Sequence, residues 1–349
     1  MLRVGLIGFG LAGQAFHAPT IRAVPGMELA CILERSGGLA AKRYPSVRVV
    51  RTLDELLADE TIRLVVVATP NTSHFDLTKR CLLAGRDVVV DKPFTPTYEE
   101  AAELVRLAEQ HKRLLTVYQN RRFDGDFRTV RKIVASGALG RIVEYECSYE
   151  RFRLEAQPNA WREREEPGAG VLFDLGPHVI DQALLLFGAP QTITARAFSQ
   201  REWAKVDDAF DVTLEYPHLR AHLRGRIVAF VPGPHFVLHG TRGSFVKCGM
   251  DPQEEPLRKG DCSYNSAWGV EPEANWGTLS LLEGNSRVDS KVKTETGDYP
   301  AYYAAVRDAV EKGAPPPVTP REALNTMRAL ILAHKSSREG RTVIWNENL

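Results

Sequence analysis

The sequence carries almost no net charge: 45 Lys and Arg stand against 44 Asp and Glu, leaving +1 with the histidines neutral. That balance argues against a polyanion such as nucleic acid as the main partner. Cysteine is scarce, with five in 349 residues, at positions 31, 81, 147, 248 and 262. An odd number, with no CxxC pair and no Cys/His zinc spacing, reads as reduced thiols rather than a disulfide framework or a metal site. Cys31 and Cys81 sit in apolar patterns and are expected in the core. No stretch approaches the ~18 apolar residues of a membrane span. The first apolar run, Leu2 to Ile7, leads straight into a glycine-rich turn rather than a signal-peptide cleavage site. The expectation is a cytoplasmic protein with no membrane partner and no internal repeat. Its length suits two domains of ~150 residues each, large enough to bury a core without disulfide or metal.

What is present begins as an alternation of strand and helix patterns. Leu2–Ile7, Met27–Leu33, Val47–Val50, Leu64–Ala68, Asp87–Val90 and Leu114–Val117 read as short strands buried on both faces. Thr52 with Glu55, and Thr97 with Glu100, fit capping boxes at helix starts, and Gly85 fits a helix end. Buried strands joined by helices imply a parallel, doubly wound α/β sheet over residues 1–120. From 121 to 349 the rhythm changes. After a helix over about 125–136, period-two runs such as Phe210–Tyr216 predict antiparallel strands with one covered face. This marks a second domain, distinct from the first, in which antiparallel strands dominate. Residues 250–297 are polar and without period, and read as a lid, an assembly arm or a mobile loop. Two helices, about 300–312 and 320–338, close the chain.

The first turn carries the clearest motif. Gly8-Phe9-Gly10-Leu11-Ala12-Gly13 follows a predicted strand and opens a predicted helix, the context a dinucleotide-binding GxGxxG requires. Gly8 permits the turn, Gly10 lets backbone approach a pyrophosphate, and Gly13 allows close helix–strand packing. The helix start then offers free N–H groups to phosphate. At the end of the second strand, Glu34 would hydrogen-bond the ribose hydroxyls of NAD. Arg35 with Ser36 would instead hold the 2′-phosphate of NADP. Glu34 would repel that phosphate unless turned away, so the balance favours NAD. Thr69, Pro70 and Asn71, with His74 just beyond, follow the fourth strand in the crevice where such sheets bind ligands. Turn chemistry explains Thr69, Pro70 and Asn71 equally well.

Three further segments complete the pattern: Asp91-Lys92-Pro93; Tyr118-Gln119-Asn120-Arg121-Arg122-Phe123; and the run Gly168 to Asp181 containing Gly170, Asp174, Pro177 and His178. With the glycine loop they resemble the Gfo/Idh/MocA family of oxidoreductases nearly end to end. Phe16-His17-Ala18-Pro19, Gly243 to Lys247 and Gly297 to Tyr303 are similar to the branch holding NADP-dependent scyllo-inositol dehydrogenases. The resemblance implies a Rossmann domain followed by a C-terminal α/β domain with a large, mostly antiparallel open sheet, an NAD(P) cofactor, a sugar or polyol substrate between the domains, and a homo-oligomer formed through the second sheet. Relatives that use bound NAD to cleave a glycosidic bond, and a sensor without turnover, are the alternative uses of the same machinery.

By that resemblance Lys92 matches the lysine of a Glu-Lys-Pro motif, with Asp91 replacing the glutamate, and Asp174 and His178 match an Asp-x-x-x-His pair. The chemistry agrees. Oxidising an alcohol carbon releases the hydroxyl proton, which a neutral imidazole can take near neutral pH. A cation such as Lys92 would stabilise the developing alkoxide, and Asp174 would orient the ring. Because Pro177 is tolerated only in a first helical turn, the helix is expected to start near Asp174 and end at Gly188. His178 would then feel the positive helix end, which keeps it a base. Asp181 would serve the substrate or pair with Arg122. Asn120 and Arg122 are candidates to line the cleft, the first toward cofactor and the second toward substrate, while Arg121 reads equally as structural. Trp161 and Arg162 match a Trp-Arg pair found near the nicotinamide in relatives, although Trp161 could equally be a packing aromatic. Tyr118 could be either.

Overall fold

The computed structural model describes residues 1–155 and 163–349. It comprises two compact units. The first contains Met1–Phe123, Gln253–Trp268 and Asp298–Leu324, and the second Asp124–Pro252, Gly269–Gly297 and Asn325–Leu349. Each unit thus gathers three stretches of chain, where the change of rhythm suggests one cut near residue 120. Side chains from distant segments, notably Tyr299, Tyr302 and Tyr303, are fully buried in the first unit and recruit their segments to it.

In the first unit, β1 (Leu2–Ile7), β2 (Met27–Leu33), β3 (Arg48–Val50), β4 (Leu64–Val67), β5 (Asp87–Val90) and β6 (Leu115–Val117) form a parallel sheet of order β3-β2-β1-β4-β5-β6. Val-rich runs such as Leu64–Val67 are buried along their whole length, because helices cover both faces of a parallel sheet. The linking helices are α1 (Ala18–Ala23), α2 (Leu39–Arg43), α3 (Leu53–Leu57), α4 (His74–Leu83) and α5 (Tyr98–His111). A π-helical turn, Gly13–His17, runs directly into α1. The capping box at Thr97 is complete. At Thr52 only half of it forms: the hydroxyl accepts from the Glu55 amide at 3.3 Å, while the Glu55 carboxylate reaches the amide of Arg51. The order of strands reverses between β1 and β4, which sets a ligand crevice at their carboxyl ends.

The second unit opens with α6 (Gly125–Ser136), β7 (Ile142–Glu150) and α7 (Val171–Phe187). It continues through β8 (Thr192–Phe198), β9 (Ala209–Tyr216), β10 (Leu219–Arg226), β11 (Phe236–Gly240) and β12 (Gly243–Lys247). Within the span 250–297 lie α8 (Glu254–Lys259), which belongs to the first unit, and the hairpin β13 (Gly277–Glu283) and β14 (Ser286–Val292). After α9 (Pro300–Lys312) in the first unit, α10 (Pro320–Glu339) and β15 (Val343–Ile344) close the chain. The nine strands run β14-β13-β12-β11-β7-β10-β9-β8-β15, antiparallel except for the β7–β10 pair. In β9, Phe210, Val212 and Leu214 are buried while Asp211, Thr213 and Glu215 are not, as alternation predicts. The expected irregular segment over 250–297 is corrected here: part of it is sheet. β14 is exposed along almost all of its length, so no apolar period marked it in the sequence.

Lys247 in β12 is fully buried, and its Nζ donates to Glu271 Oε1 at 2.8 Å and to the Cys248 carbonyl at 2.5 Å. The other Glu271 oxygen accepts from Thr294 Oγ1 at 2.6 Å. Removing one partner of a buried ion pair strands the other charge, which costs about 3–5 kcal/mol. Lys247→Met is therefore expected to lower unfolding stability by about that amount in urea titration. A loss below 1 kcal/mol would show that water reaches Glu271.

Candidate active site

The glycine loop ends β1 and begins the first helix. Gly8 has φ +96°, and a Cβ there would lie 2.4 Å from the Ala68 carbonyl oxygen at the end of β4. A Cβ on Gly13 would lie 2.3 Å from the Gly8 carbonyl oxygen. Both positions therefore exclude any side chain. Gly10 differs, since a Cβ there would meet nothing within 4 Å. It would project into open space beside the loop, where a phosphate could approach the backbone. The amide of Gln14 makes the first helical bond, to the Gly10 carbonyl at 2.9 Å, so the amides before it lie at a helix start. The Gln14 side chain ties back to the Phe9 carbonyl at 2.8 Å. These residues fit a dinucleotide pyrophosphate.

Glu34, at the end of β2, is buried. Its oxygens accept from the amides of Leu39 (3.1 Å) and Ala40 (3.3 Å), capping α2, and Arg51 Nη1 lies 3.8 Å away. Arg51 also holds the Glu34 and Gly37 carbonyls. The acid is buried and turned toward its own helix, while Arg35 beside it is exposed.

The ends of β4, β5 and β6 bring several candidates to neighbouring sheet positions. Asn71 is buried in a 3₁₀ turn, and Ser73 Oγ lies 2.8 Å from both Thr69 Oγ1 and the Pro70 carbonyl oxygen. His74, expected among the cofactor contacts, is instead a buried tie. Its Nε2 lies 2.9 Å from the Thr69 carbonyl, and its Nδ1 lies 3.0 and 3.2 Å from those of Pro93 and Phe94. Burial pushes its pKa down. Asp91 Oδ1 accepts the Lys92 amide at 2.8 Å, and the Lys92–Pro93 peptide is cis. Burial opposes the charge of Asp91, but His17, with Lys92 next to it, outweighs this and holds the carboxyl below its ordinary value.

Beyond β6, Asn120 is buried at the start of a 3₁₀ turn. Arg121 pairs with Glu254 and donates to the Tyr299 hydroxyl at 3.2 Å, a structural anchor for α8. Arg122 donates to the Pro317 carbonyl at 3.0 Å and pairs with Glu322 at 3.4 Å. Tyr118 packs on His17. Trp161 and Arg162 lie outside the described residues.

In the second unit, Asp174, His178 and Asp181 stand on α7 at spacings of four and three, which place them on one helical face. His178 is buried, and Asp181 accepts from Thr326 Oγ1 at 3.3 Å. Asp174 lines a cavity of about 230 Å³ with Arg151, Phe152, Arg153, Val171, Leu175 and Ile227. The helix starts at Val171, one turn earlier than expected, so Pro177 is interior and His178 sits in the third turn. The argument from the positive helix end, which fades within the first turn, no longer applies to it. Asp207 explains the earlier start: its carbonyl accepts the Val171 amide at 2.9 Å and its Oδ2 the Leu172 amide at 2.7 Å. Gly170 at φ +89° makes room, since a Cβ there would lie 2.1 Å from Asp207 Oδ1. Burial pushes Asp207 up to about 6. No sequence signal links Asp207 to a helix more than thirty residues away; His17 and Tyr303 were visible only as parts of motifs without a role.

Known proteins share this arrangement. Residues 2–119 match the oxidoreductase family's NAD-binding Rossmann fold, and residues 131–344 match its C-terminal alpha/beta domain. The chain is 41% identical to the uncharacterised oxidoreductase YdgJ of Escherichia coli (strain K12), over 98% of both chains. It is 38% identical to the scyllo-inositol 2-dehydrogenase (NADP(+)) IolW of Bacillus subtilis (strain 168), over 98% of this chain and 96% of that one. The solved structure of the oxidoreductase yvaA from Bacillus subtilis is similar with a TM-score of 0.95 and 38% identity, covering 98% of each chain. Among the described residues no helix is long and apolar enough to cross a membrane. With both domains matched and relatives of this identity spanning its length, the chain belongs to the Gfo/Idh/MocA family of oxidoreductases.

Proposed function

We propose that the protein is an NADP-dependent dehydrogenase acting on a secondary alcohol or ketone of a sugar or polyol, an inositol among the substrates. The observation that carries this reading is the glycine loop, closed at Gly8 and Gly13 and open at Gly10, at the carboxyl edge of a parallel sheet. A bound nicotinamide dinucleotide supplies the hydride acceptor or donor. The loop amides would hold its pyrophosphate, with Thr69, Pro70, Asn71 and Asn120 along the same sheet edge. Arg35 and Ser36 would take the 2′-phosphate, since Glu34 is occupied at α2. The IolW relative, an NADP(+) enzyme acting on scyllo-inositol, supports both the cofactor and the substrate class.

In this reading His178 accepts the hydroxyl proton of the substrate, Asp174 orients the imidazole, and the Lys92 ammonium steadies the alkoxide as charge develops. The outer strands of the second sheet leave Leu282 and Val288 exposed, a surface suited to a second copy of the chain.

Titration of the purified protein with NADPH and NADH by fluorescence, repeated with a panel of inositols and aldoses while nicotinamide absorbance is followed, tests the reading. Tighter NADPH binding and polyol-dependent redox change are expected; binding of neither cofactor would sink it. Glu34→Ala is expected to leave NADPH affinity within about threefold while lowering stability by about 1–3 kcal/mol, the scale of hydrogen bonds to a buried charge. A large loss of NADH binding with unchanged stability would return Glu34 to the ribose.

A further inference from the structure

Behind Lys92 lies an ordered polar assembly that core packing does not require. His17, on the turn leading into α1, is fully buried. Its Nδ1 lies 2.6 Å from the Tyr303 hydroxyl and its Nε2 faces Asp91 Oδ2 at 3.8 Å. Burial raises the Tyr303 phenol well above its ordinary pKa, so it keeps its proton, and in this arrangement it donates to Nδ1. A neutral ring accepting at Nδ1 carries its own proton on Nε2, which faces Asp91 Oδ2 across 3.8 Å without a direct hydrogen bond. Asp91 then uses its other oxygen to hold the Lys92 amide. Tyr118 lies over the imidazole, ring centroids 4.3 Å apart, and Tyr302 abuts Tyr118 at 4.8 Å, so the ring has no room to turn. On the far side of the lysine turn, His74 holds the carbonyls of Pro93 and Phe94. A buried imidazole facing a largely covered acid is expensive to keep where an apolar pair would serve.

We propose that Tyr303, His17 and Asp91 form a positioning relay: the phenol sets the imidazole tautomer, the imidazole fixes the Asp91 carboxylate, and the carboxylate fixes the backbone from which Lys92 projects. This inference rests on the role given to Lys92 above. The shorter acid in place of a glutamate fits the relay, because Asp91 holds its neighbour's amide with one oxygen while the other faces His17 at 3.8 Å. None of the three residues touches substrate in this scheme, so their effect is on the placement of Lys92. Displacement of a reacting group by about 1 Å costs up to about 100-fold in rate.

Two measurements test it. Proton NMR in water is expected to show a downfield imidazole N–H resonance that disappears in His17→Gln, moves in Asp91→Asn and Tyr303→Phe, and survives in Lys92→Met. In steady-state assays with NADPH and a reducible inositol ketone, His17→Gln and Asp91→Asn should lose about 10- to 100-fold in kcat. KM and NADPH affinity should stay within about threefold. Tyr303→Phe removes a single oxygen and keeps the ring, so it guards against a general folding defect; it should lose about three- to tenfold in kcat. Absence of the resonance in the parent, or folded His17→Gln and Tyr303→Phe enzymes with kcat within twofold of the parent, would overturn the relay. A Lys92→Met enzyme of undiminished kcat would instead overturn the reading of Lys92, with the NMR arms still reporting whether His17 and Asp91 are bonded.

Discussion

His178→Ala is expected to lower kcat by about 100- to 10 000-fold, the range that general acid–base groups supply. The imidazole stands on the same face of α7 as Asp174, in a helix whose first two amides are held by Asp207. A proton acceptor used in the reaction itself should reduce kcat and kcat/KM together, while KM alone would report lost substrate binding. NADPH affinity should stay within about twofold, because the glycine loop belongs to the other unit. His178 is buried, so its truncation also opens a small cavity. His178→Gln, which retains bulk and a polar end, separates the two effects: it should fold like the parent and still lose most of its turnover. Near-normal turnover of a folded His178→Gln enzyme would remove His178 from the chemistry.

The second large effect is expected from a pair of glycines that behave differently. Gly13→Ala places a methyl 2.3 Å from the Gly8 carbonyl oxygen, and the Gly8 backbone is tied to β2 by its amide, which donates to the Leu33 carbonyl at 3.0 Å. Backbone must move, at about 1–3 kcal/mol or more, and the loop that approaches the phosphates moves with it. Gly13→Ala should therefore lose both thermal stability and NADPH binding, the latter by 100-fold or more. Gly10→Ala meets no protein atom within 4 Å. Its stability should match the parent, while the methyl occupies the approach path of the pyrophosphate and NADPH affinity falls by a comparable factor. Calorimetric melting with and without NADPH reads both quantities. Undiminished NADPH binding by Gly10→Ala would place the pyrophosphate elsewhere.

Much of the candidate site was legible in one dimension because its signals are local. A strand, a tight turn and a helix start follow one another within residues 2–17, so the glycine spacing carries its own context. The Asp174–His178 spacing is likewise a property of one helix. Proline rules alone place the start of that helix near Asp174. Asp207, which anchors the true start at Val171, is remote in sequence. His74 misled for a related reason: its position after β4 suggested a ligand contact, and only the fold shows three carbonyls converging on its ring.

The sequence by itself determined the two kinds of sheet, the glycine loop and the residues of the Lys92 and His178 motifs. Periodicity, turn chemistry and helix spacing act between neighbours along the chain, and they survive in a linear reading. Only the tertiary structure decided which partner each buried polar group takes. It turned Glu34 to the amides of α2, and it joined His17 to Tyr303 across 286 positions. It also returned residues 253–268 and 298–324 to the first unit. A polar group removed from water must find a partner or lose several kcal/mol, and that partner is chosen by proximity in space, which no local pattern encodes.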